Sequence, residues 1–269
     1  SEEAFSETAY YDSIISNYFS NINNTQFPKK KTIFGNLIEE LRYGENPHQR
    51  SAIYSSEKKL NIKQIHGKKL SYNNYNDIFS ALTISKSLPK NVGTVIVKHT
   101  NPCGVSIESN QINSFKSALA CDPVSVYGGI ISCNYKINKK LALYLSKIFF
   151  EVIIANGYEK HALKVLKKKK NIRLIDASNL IYKNKNNYIS NFNSILIQSP
   201  DNVNFIKKNF KVVSKRKPSL KQFNDLIFAF NVCRYVKSNA IVIANNKSTL
   251  GIGSGQTSRL DSCNIAIEK

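Results

Sequence analysis

Short apolar runs alternate with amphipathic stretches along this chain, and that alternation limits what it can fold into. Residues 95–97, 130–131, 152–155, 195–197 and 240–244 are brief apolar runs bounded by polar residues, the pattern of buried strands. Between them lie helical stretches at 2–19, at 77–88 with Asn76 as cap and Pro89 as stop, at 115–120, 138–150 and 159–170, and near 202–209. A long amphipathic helix follows Ser219, which caps it. Strand–helix alternation of this kind predicts an α/β chain with helices on both faces of a sheet. No repeat of short fixed period is present.

The chemistry-bearing residues cluster near strand ends and turns. Lys98 and His99 emerge side by side after the run at 95–97, ahead of a turn read from Asn101-Pro102 through Cys103 and Gly104. Open α/β sheets bind ligands outside the carboxyl ends of their strands, which is where this pair sits. A histidine can take a proton near neutral pH, and a lysine offers positive charge to a developing anion. The same pair also reads as an incidental strand cap. Arg42 and Tyr43 lie beside the turn signals Gly44 and Asn46-Pro47. That arginine suits a phosphate or carboxylate through its fork of donors, and equally a surface position next to a packed tyrosine. Gly128-Gly129 fits close approach to a ligand or a tight turn. Gly251, Gly253 and Gly255 before a helix predict an anion cradle of free N–H groups, although the GxGxxG spacing is absent.

Composition narrows the function classes. Net charge is +21, from 39 Lys+Arg against 18 Asp+Glu, which favours anionic partners such as phosphorylated metabolites, folates or nucleic acid. The excess is mostly lysine and comes with abundant asparagine and isoleucine, residues with A/T-rich codons, so compositional drift explains it as well. Aromatics are not interleaved with the basic runs as a stacking platform for single strands requires, so no nucleic-acid partner is expected. Five scattered cysteines, never in a CxxC pair, give neither a disulfide framework nor a zinc ribbon and fit a reducing cytoplasm. No apolar run approaches the roughly 18 residues of a membrane helix, and the acidic start SEEAFSETAY has no apolar signal core. The chain has no methionine and opens on Ser1, which reads as a fragment of a longer polypeptide.

Six motifs occur in one order: LRYGENPHQ (41–49), HGKKLSYNN (66–74), VKHTNPCGV (97–105), DPVSVYGGI (122–130), KSNAIVIA (237–244) and GIGSGQTSRLDS (251–262). The set resembles the bacterial-type bifunctional purine biosynthesis enzymes. These combine an aminoimidazole carboxamide ribonucleotide (AICAR) transformylase with an inosine monophosphate cyclohydrolase. The resemblance implies formyl transfer from 10-formyltetrahydrofolate to the 5-amino group of AICAR. It implies His99 as general base with Lys98 beside it, and Arg42, Tyr43, Gly128, Glu151, Asn239 and Arg259 at nucleotide-binding positions. Leu260 falls where the family contacts the folate, and no metal is implied. Glu151 departs from members that carry aspartate there, with the carboxylate retained. The implied fold is two cytidine-deaminase-like α/β/α three-layer subdomains, at 25–188 and, truncated, at 189–269. They are preceded at 1–24 by the terminal helix of a cyclohydrolase domain and a linker. The family further implies a homodimer with sites between subunits. The competing expectation is an inactive basic remnant that serves as an interaction or nucleic-acid-binding module.

Overall fold

Helix α1 (Glu2–Ile22) follows the expected periodicity, yet none of its residues is buried. The computed structural model describes residues 1–181, 186–201, 203 and 205–269, and the chain divides into two compact units, Ser1–Leu60 and Asn61–Lys269. In the first unit, α1 is tied to the segment that follows it. Asn17 Nδ2 donates to the Thr32 carbonyl at 3.2 Å, and the Tyr10 ring meets Phe34 edge-on at 5.5 Å. Phe5, Tyr11 and Phe19 stay exposed. Strands β1 (Asn36–Leu41) and β2 (Ser51–Ser55) then form an antiparallel hairpin whose loop carries Arg42 and Tyr43.

The second unit is a mixed α/β fold around a central mixed sheet. It contains β3 (Lys63–His66), α2 (Tyr72–Ser87), β4 (Gly93–Lys98), β5 (Asn101–Ile107), α3 (Gln111–Ala120), β6 (Ile130–Cys133), α4 (Lys139–Leu145), β7 (Val152–Ala155), α5 (Lys160–Leu166) and β8 (Arg173–Asp176). A separate hairpin of β9 (Asn187–Asn191) and β10 (Ser194–Gln198) follows, and the expected boundary at 188 lies inside β9. The chain continues through α6 (Leu220–Cys233), β11 (Ile241–Asn245), β12 (Ser248–Gly253) and α7 (Arg259–Glu268). The eight-stranded sheet runs β11-β12-β5-β4-β6-β7-β8-β3, so strands from both ends of the unit share it. Strands β6, β7 and β8 are parallel; the other pairings are antiparallel.

The interior strands β6 and β7 are buried on both faces, hence their unbroken apolar runs. On one face Ile96, Ile131, Ile153 and Leu174 pack with Phe115, Leu141, Leu145, Ala162 and Leu166 of α3, α4 and α5. On the other, α2 lies against β4, β6 and β7, with Ser85 Oγ and Ser132 Oγ sharing a hydrogen bond of 2.8 Å.

Several sequence expectations are corrected. Helix α2 starts earlier than Asp77, because Ser71 rather than Asn76 caps it: Ser71 Oγ accepts the Asn74 amide, and Asn74 Oδ1 accepts the Ser71 amide. Asn101 to Gly104 is not a turn but the start of β5. The turn falls one step earlier, on His99 and Thr100, which both take left-handed backbone angles, φ 51° and 63°. Helices α4 and α5 are shorter than expected, ending at Leu145 and Leu166. Near 202–209, positions 202 and 204 lie outside the described residues, and Lys207–Asn209 is a single 3₁₀ turn.

The glycine run is also corrected. Gly251 and Gly253 belong to β12, and a Cβ on either would fall 1.9 or 1.8 Å from the Ala266 or Ser262 carbonyl oxygen of α7. Their role is close helix–strand packing. The Gly255 amide donates to the Lys237 carbonyl at 2.8 Å, so that donor is not free.

Candidate functional site

The site is built on one end of the sheet. Val97, Ile130, Val152 and Arg173 stand in register across β4, β6, β7 and β8. Lys98 and His99 leave β4 at this row, Gly128 and Gly129 enter β6, and Glu151 enters β7. The pair therefore lies at the carboxyl end of β4 but at the amino ends of the parallel strands. The rule for open parallel sheets therefore does not account for this position. What places them is a hairpin turn.

That turn is held from α2. The Asp77 carboxylate accepts the Thr100 amide on Oδ1 at 2.6 Å and the His99 amide on Oδ2 at 3.2 Å. Ser80, on the same helix face one turn along, donates to the Thr100 carbonyl at 2.8 Å. The His99 carbonyl accepts from Thr100 Oγ1 at 2.7 Å and Asn101 Nδ2 at 3.1 Å. The His99 side chain is exposed on this fixed backbone. Burial raises the pKa of Asp77, opposed by its bonds from the Thr100 and His99 amides.

Lys98 is tied across the sheet end, its Nζ donating to the Tyr127 carbonyl at 2.8 Å. The next residue, Gly128, has φ 75° and donates its amide to the Phe149 carbonyl at 2.9 Å, and the Glu151 amide donates to the Gly129 carbonyl at 3.1 Å. Glu151 Oε2 accepts from Asn74 Nδ2 at 2.8 Å and lies 3.6 Å from Arg173. The far end of the chain joins through the Lys237 amide, which donates to Asn101 Oδ1 at 3.2 Å. Asn239 Nδ2 donates to the Gln256 and Thr257 carbonyls at 3.0 Å each. Ser258 then caps α7, whose first residues, Arg259 and Leu260, are exposed.

The structure thus brings Lys98, His99, Gly128 and Glu151 to one end of the sheet, joined through the Lys237–Asn101 bond to the segment that carries Asn239, while Arg259 and Leu260 stand exposed at the start of α7. Arg42 and Tyr43 belong to the first unit, where the guanidinium lies 5.1 Å from the Tyr43 ring centre and Ser51 Oγ donates to the Tyr43 carbonyl at 2.7 Å. The sequence reading did not single out Asp77, Ser80, Asn74 or Arg173. Asn74 had a signal, its place three residues after Ser71, but asparagine is not the glutamate or glutamine of the usual capping box. The others act on backbone or on residues distant in sequence, which spacing does not reveal.

Burial pushes the thiols of Cys103 and Cys133 up to about 12 and that of Cys121 up to about 11, leaving them protonated and poor nucleophiles at neutral pH. Among the described residues no group of three or more His, Cys, Asp or Glu could hold a metal ion.

A family model described as the AICARFT/IMPCHase bienzyme matches residues 1–269. The chain belongs to this family. The bifunctional purine biosynthesis protein PurH of Thermoanaerobacter sp. (strain X514) is 41% identical over 262 residues, covering 96% of this chain and 51% of the relative. PurH of Oceanobacillus iheyensis is 38% identical over 273 residues (99% and 53%), and PurH of Prochlorococcus marinus (strain MIT 9515) 40% over 283 (99% and 54%). The chain spans about half the length of the curated relatives it matches.

Proposed function

We propose that this chain carries the AICAR formyltransferase reaction of purine biosynthesis, moving a formyl group from 10-formyltetrahydrofolate to the 5-amino group of AICAR. The observation that carries the reading is the exposed His99 on a fixed turn, beside Lys98, in a chain that matches the bienzyme family throughout. The AICAR amine is a weak nucleophile because its lone pair is conjugated with the ring and carboxamide. His99 takes its proton as the new C–N bond forms. Lys98 stabilises the oxyanion on the formyl carbon, and the bond from that carbon to the folate nitrogen then breaks, the nitrogen leaving with the proton that His99 had taken. Within the second unit Gly128, Glu151, Asn239 and Arg259 bind the nucleotide, and Leu260 offers an apolar contact to the folate; Arg42 and Tyr43 are nucleotide-binding positions of the first unit. The full protein works as a cytoplasmic homodimer, without nucleic acid. The paired cytidine-deaminase-like architecture is supported by a hairpin-and-helix arrangement that occurs twice in the sheet.

The test is a formyl-transfer assay on the wild-type protein and His99→Ala, with AICAR binding measured in parallel. Turnover that collapses in the variant while binding persists supports the base assignment. Binding with no wild-type turnover would remove the catalytic reading for this chain, and loss of both would remove the nucleotide site as well.

A further inference from the structure

The His99–Thr100 turn is costly to hold. Both residues sit in left-handed backbone conformations, and Thr100 is β-branched, a residue type that avoids them. Such a turn persists only where its surroundings over-determine it. Here two groups from one face of α2 do so. Asp77 takes both turn amides through separate carboxylate oxygens, and Ser80 takes the Thr100 carbonyl. The bond of 2.6 Å from Thr100 is at the short end for a charge-assisted contact. A hydrogen bond to a backbone amide on each side of the His99 carbonyl fixes where the imidazole leaves the chain.

We propose that Asp77 is a positioning residue for the formyl-transfer step, fixing through the turn amides the backbone from which His99 reaches its substrate proton. This rests on the assignment of His99 as base made above. Asp77 touches no reacting atom. Its carboxylate presents two acceptors to two N–H groups, whereas an asparagine presents one acceptor and turns an N–H₂ toward the other amide.

The decisive experiment compares wild type, Asp77→Asn, His99→Ala and the double variant. Each is assayed for kcat and for AICAR affinity, and the backbone amides of His99 and Thr100 are followed by NMR hydrogen exchange. In Asp77→Asn we expect kcat to fall between about 10- and 100-fold, the size of effect that misplacing a reacting group brings. AICAR affinity should stay within about twofold of wild type, since binding is not what the turn supplies. Exchange protection at the two amides should drop. In the His99→Ala background the Asp77→Asn change should add no further loss, because its effect passes through the missing imidazole. A fully additive loss, or a wild-type kcat in Asp77→Asn, would overturn the proposal; so would unchanged amide protection. A wild-type protein that binds AICAR but transfers no formyl group would remove the functional reading, and the amide exchange would still decide whether Asp77 holds the turn.

Discussion

Two segments of the sheet are built with the same devices, α2 to α3 by way of β4 and β5, and α6 to α7 by way of β11 and β12. Ser71 and Ser219 each close a capping box at the start of the leading helix. At the same spacing beyond those caps, Asp77 and Asp225 accept the amide of the second turn residue, Thr100 at 2.6 Å and Lys247 at 2.8 Å. Both turns consist of two left-handed residues, and each hairpin has a register shift, between Ile96 and Val97 and between Ile243 and Ala244. In each, a glycine of the second strand, Gly104 or Gly251, lies so near the following helix that a Cβ would fall 1.8 or 1.9 Å from a carbonyl oxygen. The two hairpins point opposite ways. The second turn lies where β5 finishes, the Ile107 amide donating to the Lys247 carbonyl at 3.0 Å, while Lys237 and Asn239 come to the end that holds His99. The candidate site therefore takes a closed turn from one segment and open strand ends from the other. What separates the segments is the side chain on the turn: histidine in the first, Asn246 in the second. The strained turn belongs to the fold; the imidazole is what one copy adds to it.

The largest effect that would sharpen this comparison is catalytic. His99→Ala should lower kcat by about 10² to 10⁴, the range for losing a general base, with AICAR binding retained. Asn246→Ala, at the matching turn, should leave kcat unchanged in the same assay. An equal loss from both would show that the turns matter only as structure. Next in size are the packing glycines. Gly104→Ala and Gly251→Ala each force a backbone carbonyl to move, so each should destabilise the protein by about 2–3 kcal/mol in urea unfolding. Similar values would support one shared device. A value near zero for either would separate the two segments.

How much of this was legible beforehand follows from the kind of signal involved. Strands β6 and β7 were readable because burial on both faces leaves an unbroken apolar run. Helix α6 was readable because Ser219 precedes an amphipathic period. The β4–β5 turn was misplaced because His99 and Thr100 carry no glycine or asparagine signal; a carboxylate from a distant helix supplies what the local residues lack. The glycines at 251 and 253 were read as ligand-facing because sequence shows freedom of backbone but not what approaches it, which here is α7. Lys98, His99, Glu151 and Asn239 could be named from motifs, but the bonds that connect them run between residues distant in sequence. The carboxylate at Asp77, hidden in a helix, had no motif to mark it.

A smaller test concerns the second aspartate. Asp225 is buried and holds the Lys247 amide, so Asp225→Asn should cost about 0.5–1.5 kcal/mol of stability by urea unfolding, as for a typical intramolecular hydrogen bond, with no change in kcat. A drop in kcat matching that of Asp77→Asn would break the contrast between a turn that presents a base and a turn that does not.

The smallest effect joins the two segments directly. Asp122, just past α3, meets Lys269, just past α7, with Nζ to Oδ2 at 2.5 Å. Burial alone would raise the Asp122 pKa. The bonds from Lys269 and Ser125 outweigh it and hold the carboxyl below the usual aspartate value of 3.8. A depressed carboxylate stabilises the folded state above its unfolded pKa, and that stabilisation is lost as pH falls through the lower folded value. The Lys269 side chain is 35% exposed, so solvent screening limits the pair to less than about 1 kcal/mol. Unfolding followed from pH 7 down through the carboxylate range should therefore show an acid-labile part of the stability that Asp122→Asn removes, shrinking as salt is raised. If Asp122→Asn left the acid limb unchanged, the ends of α3 and α7 would be held together by packing rather than by this pair.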